Sequence, residues 1–415
     1  MRMDKTARQE VLELAMKKAC DGRSRVLDTH TFHSFPARMP LKVAQALIQR
    51  MTRKRDVVLD PMCGSGTTLI AASSIGRTGL GFDLDPLAVL ISTTAVAAGS
   101  GDHLLAAGLR LLERAKKRFK RIKSPTDVLP LSAETKMFVA YWFPKRSQRQ
   151  LAALAEVIQT IADDRARDFF WTVFSSTIVV KSAGPSYALD LARSRPHRQL
   201  EKNVVFPFDA WELKLRRAIQ CKAKVLPTAL AKIETGDARQ LPLAAECVDF
   251  ILTSPPYLHA VDYVRAHKFA LVWMGADIES LRELRANLIG SERGMFQLDG
   301  LPSSMERRLQ GAQRSSVARS RRYLSDMFRS LKEAHRVLRP GGAAVFVVGD
   351  SVLSAERRDS ANIMRQLGLA SGFTACCVAA RSLADQRRSL PPPQLFGNSL
   401  SKRMQEECFV GFLKE

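Results

Sequence analysis

The sequence predicts an open α/β sheet, mostly parallel, with helices on both faces and a long helical insertion. Three observations carry that prediction. Val57-Val58-Leu59-Asp60 is a short apolar run that passes through a glycine-containing turn into a helix beginning near Thr67. Thr78-Gly79-Leu80-Gly81-Phe82-Asp83 is the next apolar run and puts a carboxylate at its end. Two further buried strands are legible at Val248–Leu252 and Ala343–Val348, beyond a stretch, residues 101–226, that shows helical patterns and little strand signal.

The elements follow in order. Residues 3–20 form a short amphipathic helix with Val11, Leu12, Leu14 and Ala15 on one side. The segment Phe32-His33-Ser34-Phe35-Pro36-Ala37-Arg38-Met39-Pro40 leads into a second amphipathic helix carrying Val43, Leu47 and Ile48. Residues 56–97 then give strand, helix, strand, helix. The connection over 101–226 is far longer than a strand crossover needs, so it is an inserted subdomain. Within it, Arg110, Arg114, Lys116, Lys117, Arg118, Lys120, Arg121 and Lys123 are opposed only by Glu113. They form either a solvated helix face or a strip that tracks phosphates. Phe169, Phe170, Trp171 and Phe174 are assigned to helical core. Lys181–Tyr187, with Arg193 and Arg195 beyond, is a polar loop that could reach a substrate. Leu258–Lys268 reads as a helix. Residues 276–322 are the least regular part, with Gly290-Ser291-Glu292-Arg293-Gly294 and the run Arg314, Arg319, Arg321, Arg322 as a loop that could order on nucleic acid. A helix near 358–370, a strand near 373–380 and a rigid loop at Pro391-Pro392-Pro393 follow. Glu407-Cys408-Phe409-Val410-Gly411-Phe412 closes the sheet as an antiparallel edge strand.

Composition narrows the partner class. The 415 residues hold 64 Lys plus Arg against 41 Asp plus Glu, a net charge of +23. A field of that sign favours a polyanion and gives salt-dependent binding. Charge alone does not separate DNA from ribosomes or acidic membranes. The 46% hydrophobic content supports a globular chain of two or three domains by length. The seven cysteines are scattered without Cys-x-x-Cys spacing, so neither a disulfide framework nor a metal site is expected. No signal-like apolar core or membrane-length run is present, which makes a cytoplasmic protein without membrane partners the default.

Two motifs carry chemistry. Thr253-Ser254-Pro255-Pro256-Tyr257 follows a buried strand. The prolines fix φ and present carbonyls without competing N–H donors. With the Ser254 hydroxyl they can accept both hydrogens of an exocyclic amine, while Tyr257 offers a face for a planar ring. The bland alternative is a turn that ends a strand. Asp60-Pro61-Met62-Cys63-Gly64-Ser65-Gly66-Thr67-Thr68 is the second motif, with glycines that admit close backbone approach to a ligand at the carboxyl end of the first strand. Asp83 lies 83 − 64 = 19 residues after Gly64, placed to hold ribose hydroxyls. A phosphate loop is ruled out by the missing Gly-Lys-Ser/Thr ending and by Asp60. A dinucleotide loop is disfavoured because Leu69 stands where its third glycine belongs. A nucleoside without a pyrophosphate fits.

On these motifs the chain resembles the DNA amino-methyltransferases. Asp60–Thr68 looks like their cofactor loop, Gly81-Phe82-Asp83-Leu84-Asp85-Pro86 their ribose-binding acid segment, and Thr235-Gly236-Asp237-Ala238 their adenine-binding segment. Arg336-Val337-Leu338-Arg339-Pro340-Gly341-Gly342 resembles the turn before the fifth strand. Ser254-Pro255-Pro256-Tyr257 has the form usual for cytosine-N4 enzymes. The resemblance implies a Rossmann-like class I methyltransferase sheet, S-adenosylmethionine as cofactor, and duplex DNA with a flipped base as substrate. Phe35, Asp60, Pro61, Cys63, Gly64, Gly66, Thr67, Asp83, Asp85, Asp237 and Ala238 would bind the cofactor. Phe35 is equally readable as a buried loop anchor. Ser254, Pro255, Pro256 and Tyr257 would be catalytic. His259, Asp262 and Tyr263 are candidates to line the base site, or to act as capping and supporting residues. Residues 1–100 would be the cofactor half with its N-terminal helix, 101–226 the insertion with DNA contacts, and 227–415 the catalytic half, with 276–322 as the recognition segment. Adenine-N6 methylation, an RNA substrate, and an inactive DNA-binding protein on the same fold are the rivals. A cognate restriction endonuclease is a conceivable partner, and the oligomeric state is open.

Overall fold

A computed structural model describes residues 5–21, 33–35, 39–97, 101–180, 183–189, 191, 196–222, 230–257, 263–291, 300–303, 305–306, 314–349, 351–352, 357–358, 360–382 and 406–415. Along the chain come α1 (Lys5–Asp21), α2 (Leu41–Met51), β1 (Val57–Asp60), α3 (Thr67–Ser74), β2 (Thr78–Asp83) and α4 (Pro86–Val96). Helices α5 (Gly101–Phe119), α6 (Ala133–Trp142), α7 (Lys145–Gln159) and α8 (Asp164–Ile178) follow. A two-residue ladder, β3 (Ala188–Leu189) with β4 (His197–Arg198), precedes α9 (Pro207–Lys222). The chain then re-enters the sheet through β5 (Ala231–Thr235) and β6 (Val248–Thr253). Next are α10 (Tyr263–Leu271), α11 (Ile278–Asn287), α12 (Arg314–Val337) and β7 (Leu338–Gly349). A second small ladder pairs β8 (Ser351–Val352) with β9 (Arg357–Arg358), and α13 (Ser360–Ala370), β10 (Ala375–Ser382) and β11 (Glu406–Leu413) complete the chain.

The main sheet has seven strands in the order β10-β11-β7-β6-β1-β2-β5. The pairs among β5, β2, β1, β6 and β7 are parallel. This is a doubly wound order, which reverses between β1 and β6, and ligands of such sheets bind at the carboxyl edge beside the reversal. The antiparallel strand near the C-terminus is β11, as expected, but it lies one place inside the edge, between β7 and β10. Strand β6 reads as an almost continuous apolar run because both of its faces are covered.

Helices α1 and α2 cover one face of the sheet, through Leu12, Met16, Val43 and Leu47 against Phe250, Leu252, Val345 and Phe409. Helices α12 and α13 cover the other, through Met327, Leu331, Met364 and Leu367 against Ile251, Phe346 and Phe412. The inward stripe of α1 is Leu12, Ala15, Met16 and Ala19, whereas Val11 (38%) and Leu14 (52%) are exposed. At about 100° per residue, Leu14 lies roughly 200° round from Leu12, so the buried side of α1 is narrower than the expected side that includes Val11 and Leu14. Helices α5 to α9, which connect β2 to β5, share a core with Leu87 and Ile91 of α4 and with Phe269 of α10, and Phe169, Phe170, Trp171 and Phe174 are buried in it.

Residues 278–287 are helical, and the arginine run from 314 belongs to α12 and is not a loop. Arg322 is buried (7% exposed) and donates to Ala286 O at 2.5 Å, so it faces protein instead of DNA. Arg321 pairs with Glu306 at 2.5 Å. Among the described residues no helix is long and apolar enough to cross a membrane.

Candidate active site

Strand β1 delivers Asp60 to the carboxyl edge of the sheet, and the chain turns over Pro61–Gly66 into α3. Cys63 N–H donates to Phe82 O (2.9 Å) and Gly66 N–H to Cys63 O (2.8 Å), which closes the turn against β2. Gly64 (φ 50°) and Gly66 (φ 78°) are both left-handed. A Cβ at Gly64 would lie 3.0 Å from Phe35 Cε1, and one at Gly66 would lie 2.9 Å from Ser92 Cβ. Backbone angle and space therefore both call for glycine. Gly64 N–H donates to Asp83 Oδ2 at 2.9 Å, so the turn and the acid of β2 form one unit. Asp85 N–H donates to Asp83 Oδ1 at 3.0 Å, and Asp85 caps α4 by accepting from Leu87 N–H at 2.9 Å. Pro61 and Thr67 are buried in the same turn.

The second motif arrives from β6, the neighbour of β1. Thr253 Oγ1 donates to Asp60 Oδ1 at 2.7 Å, and Thr68 Oγ1 donates to Leu252 O at 3.1 Å. Two motifs 193 residues apart in sequence thus share hydrogen bonds. Beyond Thr253, Pro255 is buried and Ser254, Pro256 and Tyr257 are half-buried. Ser254 Oγ and Tyr257 Oη are 3.2 Å apart, so the tyrosine hydroxyl folds back onto the serine. Burial, then the charge of Glu407, holds the Tyr257 phenol well above its usual range, and it stays neutral.

Phe35 lies over Gly64 and stacks on Tyr263 with ring centroids 5.1 Å apart and planes at 16°. Tyr263 is near the Asp83 carboxylate and within electrostatic reach of Tyr257, between the two motifs. His259 and Asp262 lie outside the described residues. Asp237 and the buried Ala238 (3% exposed) follow β5, and Gly236 N–H donates to Asp83 O at 3.1 Å. The Asp237 carboxylate is held by Arg239, whose Nε and Nη2 donate to it at 2.9 and 2.7 Å.

Two residues of the site had no sequence signal. His267 is buried (1% exposed), bonds Asp85 Oδ2 through Nδ1, and packs near Phe35 with centroids 5.7 Å apart. Arg239 follows Asp237 by two positions, but nothing in Asp-Ala-Arg announces a bidentate clamp.

The electrostatics are dominated by acids. Asp60 is buried and is pushed up to about 6 by desolvation, against the hydroxyls of Thr253 and Thr68 and the Met62 amide. Asp83 is pushed up to about 7, first by desolvation and then by the Asp85 charge, against the amides of Asp85 and Gly64. The buried Cys63 thiol is pushed far up by desolvation and then by Asp83 and Asp60, which makes it a poor nucleophile. Because both carboxyls titrate above their ordinary 3.8, the folded chain binds more protons than the unfolded chain between about pH 4 and 7. Their contribution to stability is present below pH 4 and is lost as pH rises through 6 and 7. Asp83→Asn should therefore reduce the fall in melting temperature of the free protein between pH 5.5 and 7.5. An unchanged pH profile in scanning fluorimetry would contradict this.

A family profile described as DNA methylase, covering the N6 and N4 methyltransferases, matches residues 13–93. The chain is similar to the Type II methyltransferase M.MvaI of Kocuria varians, 21% identical over 353 residues, which covers 78% of this chain and 77% of that protein. It is also similar to the Type II methyltransferase M.BsoBI of Geobacillus stearothermophilus, 24% identical over 276 residues, 59% of this chain and 52% of that one. The chain therefore spans about half the length of M.BsoBI. A solved SAM-dependent methyltransferase of Methanosarcina mazei overlaps at 10% identity with a TM-score of 0.32, covering 89% of this chain and 98% of that one. The fold rests on the strand order above and not on this overlap.

Proposed function

The chain belongs to the DNA amino-methyltransferase family, and from that premise we propose that it methylates the exocyclic amine of a base in duplex DNA, with N4 of cytosine as the preferred target. The observation that carries this is the Thr253–Asp60 hydrogen bond, which joins the Ser254–Tyr257 platform to the glycine turn at one point of the sheet edge.

The site fits S-adenosylmethionine. The left-handed Gly64 leaves room under Phe35 that a Cβ would fill. Asp83 has two acceptor oxygens, each committed to one backbone N–H and each with a further lone pair for a ribose hydroxyl. The acidic surroundings of Asp60, Asp83 and Asp85 suit a cationic ligand. When bound, the cofactor supplies an electrophilic methyl group on a sulfonium. Asp60, Gly64 and Gly66 shape the methionine end, with Pro61, Cys63 and Thr67 building the turn. Asp83 takes the ribose, and Asp237 and Ala238 take the adenine.

The platform handles the target amine. An exocyclic amine is a weak nucleophile because its lone pair is delocalised into the ring. Ser254 Oγ and the Pro255 carbonyl accept its two N–H bonds and favour the pyramidal nitrogen, whose lone pair then faces the methyl donor. Pro256 stiffens the turn. Tyr257 releases Ser254 and stacks on the flipped base. The methylated amine becomes acidic and loses its proton to solvent, so no strong base is needed. Positioning and electrostatics supply the catalysis.

Ser254 favours cytosine-N4 over adenine-N6 because serine in this position is the form usual for cytosine enzymes. Incubation with methyl-labelled S-adenosylmethionine and mixed-sequence duplex DNA should put label into the DNA, and much less into an RNA of the same sequence. Label in the RNA alone would overturn the substrate assignment.

A further inference from the structure

Helix α10 reaches the two acids that follow β2 through a buried histidine. Asp85 is 4% exposed, whereas Asp83 is half-buried at the sheet edge. Of the two, Asp83 is the acid that a ligand at the edge can reach. Both Asp85 oxygens are engaged inside the protein: Oδ1 accepts from Leu87 N–H at 2.9 Å and Oδ2 from His267 Nδ1 at 2.5 Å. A carboxylate accepts, so Nδ1 carries the proton of that bond. The Asp85 backbone N–H donates to Asp83 Oδ1 at 3.0 Å, and Asp83 Oδ2 accepts from Gly64 N–H at 2.9 Å. A continuous path thus runs from His267 through Asp85 to the oxygens of Asp83. His267 is itself fixed by rings. It is 1% exposed, with centroids 5.7 Å from Phe35 and 6.3 Å from the edge-on His33. Tyr263, one helical turn earlier on the same face of α10, stacks on Phe35, which lies over Gly64. One face of α10 therefore grips the nucleoside site at two points, Gly64 by way of Phe35 and Asp83 by way of Asp85.

We propose that His267 is a positioning residue whose hydrogen bond to Asp85 sets the angle at which Asp83 meets the ribose hydroxyls, and that Asp85 is its relay and not itself a cofactor ligand. The inference rests on the assignment of Asp83 to the ribose. The physical reason is the cost of leaving a buried carboxylate short of a partner. Without the Nδ1 donor, Asp85 keeps its Leu87 cap but loses the bond on Oδ2, and the carboxylate turns to regain one. Its backbone N–H moves with it, so Asp83 Oδ1 loses the donor that fixes its direction. The charges of Asp83 and Asp85 already repel, and a carboxylate freed from His267 adds to that disturbance.

The test measures the affinity of the full chain for S-adenosylhomocysteine, the demethylated form of the cofactor, by calorimetry. His267→Phe keeps a ring but has no donor, His267→Gln keeps a polar group near the Nε2 position, and His267→Asn places an N–H where Nδ1 stands. The Phe and Gln variants are expected to bind about 10-fold more weakly, the loss of one hydrogen bond to a charged group, and the Asn variant to bind within about threefold of the wild type. In an Asp83→Ala background the same substitutions should change affinity by less than about twofold, because the effect passes through Asp83. A merely structural role would lower affinity equally in both backgrounds and leave Asn no better than Gln. Either of those results, or wild-type affinity in folded Phe and Gln variants, overturns the proposal. Where the Phe variant does not fold, the Gln and Asn pair decides. A wild type that fails to bind S-adenosylhomocysteine removes the cofactor reading and the proposal with it, whereas binding without coupling between positions 267 and 83 removes the proposal alone.

Discussion

Replacing Ser254 by alanine should lower turnover on duplex DNA roughly 100-fold, the loss typical of removing one preorganised polar contact to a reacting centre. Affinity for the cofactor should stay within about twofold, since the Ser254 hydroxyl bonds Tyr257 and, among the described residues, makes no hydrogen bond to the glycine turn. The connection between the motifs runs through Thr253 and Asp60, one residue earlier, and the substitution leaves it intact. The physical origin of the loss is specific. The amine keeps the Pro255 carbonyl but loses the second acceptor, so its nitrogen stays closer to planar and its lone pair stays in the ring. Single-turnover rates at saturating S-adenosylmethionine, alongside calorimetric binding of the cofactor, separate the two effects. Equal losses in binding and turnover would instead mark Ser254 as part of the structure of the cofactor turn.

Replacing Asp83 by alanine should have the opposite profile. Hydrogen bonds to a charged group contribute about 1.5–3 kcal/mol each, so losing the ribose acceptor should weaken cofactor binding roughly 10- to 100-fold. The change also strands Gly64 N–H, whose partner is Asp83 Oδ2, so part of the loss comes from a loosened turn. Asp83→Asn distinguishes the contributions, because it keeps a carbonyl oxygen for one of the two donors. Turnover at saturating cofactor should fall much less than affinity. A variant that bound the cofactor normally and turned over slowly would remove Asp83 from the cofactor site.

Much of the sheet was legible because its strands are short, apolar and buried on both faces. Val248–Thr253 and the core of β7 show this directly. Strand β5, Ala-Lys-Ile-Glu-Thr, is an edge strand with a mostly exposed pattern, and only the acid segment that follows it gave its position away. The N-terminal part of α12 was hidden for a different reason. Its Arg- and Ser-rich sequence reads as loop, and its place is fixed by tertiary partners such as Arg239, Glu306 and the Ala286 carbonyl. The apolar face of α1 is narrower than its cluster of apolar residues suggests, because Leu14 points roughly 200° round the helix from Leu12.

Within the site, the glycines and acids carry local signatures because backbone angles and strand ends restrict residue type. The structure brings Phe35, Gly64, Asp83 and Tyr263 together, and Asp60 with Thr253. Supporting residues have no such signature. His267 meets Asp85 from 182 positions away, and Arg239 meets Asp326 from 87 positions away. These contacts exist only once the sheet and α12 have assembled, so no window of sequence contains them.

The most direct test of the central claim is nucleoside mass spectrometry of duplex DNA after incubation with the purified protein and S-adenosylmethionine. The expected product is N4-methylcytosine, formed roughly 100-fold more slowly when Ser254 is replaced by alanine. N6-methyladenine would keep the fold and the amine chemistry but contradict the assignment drawn from Ser254, and a methyl group on a ring carbon would contradict the mechanism itself.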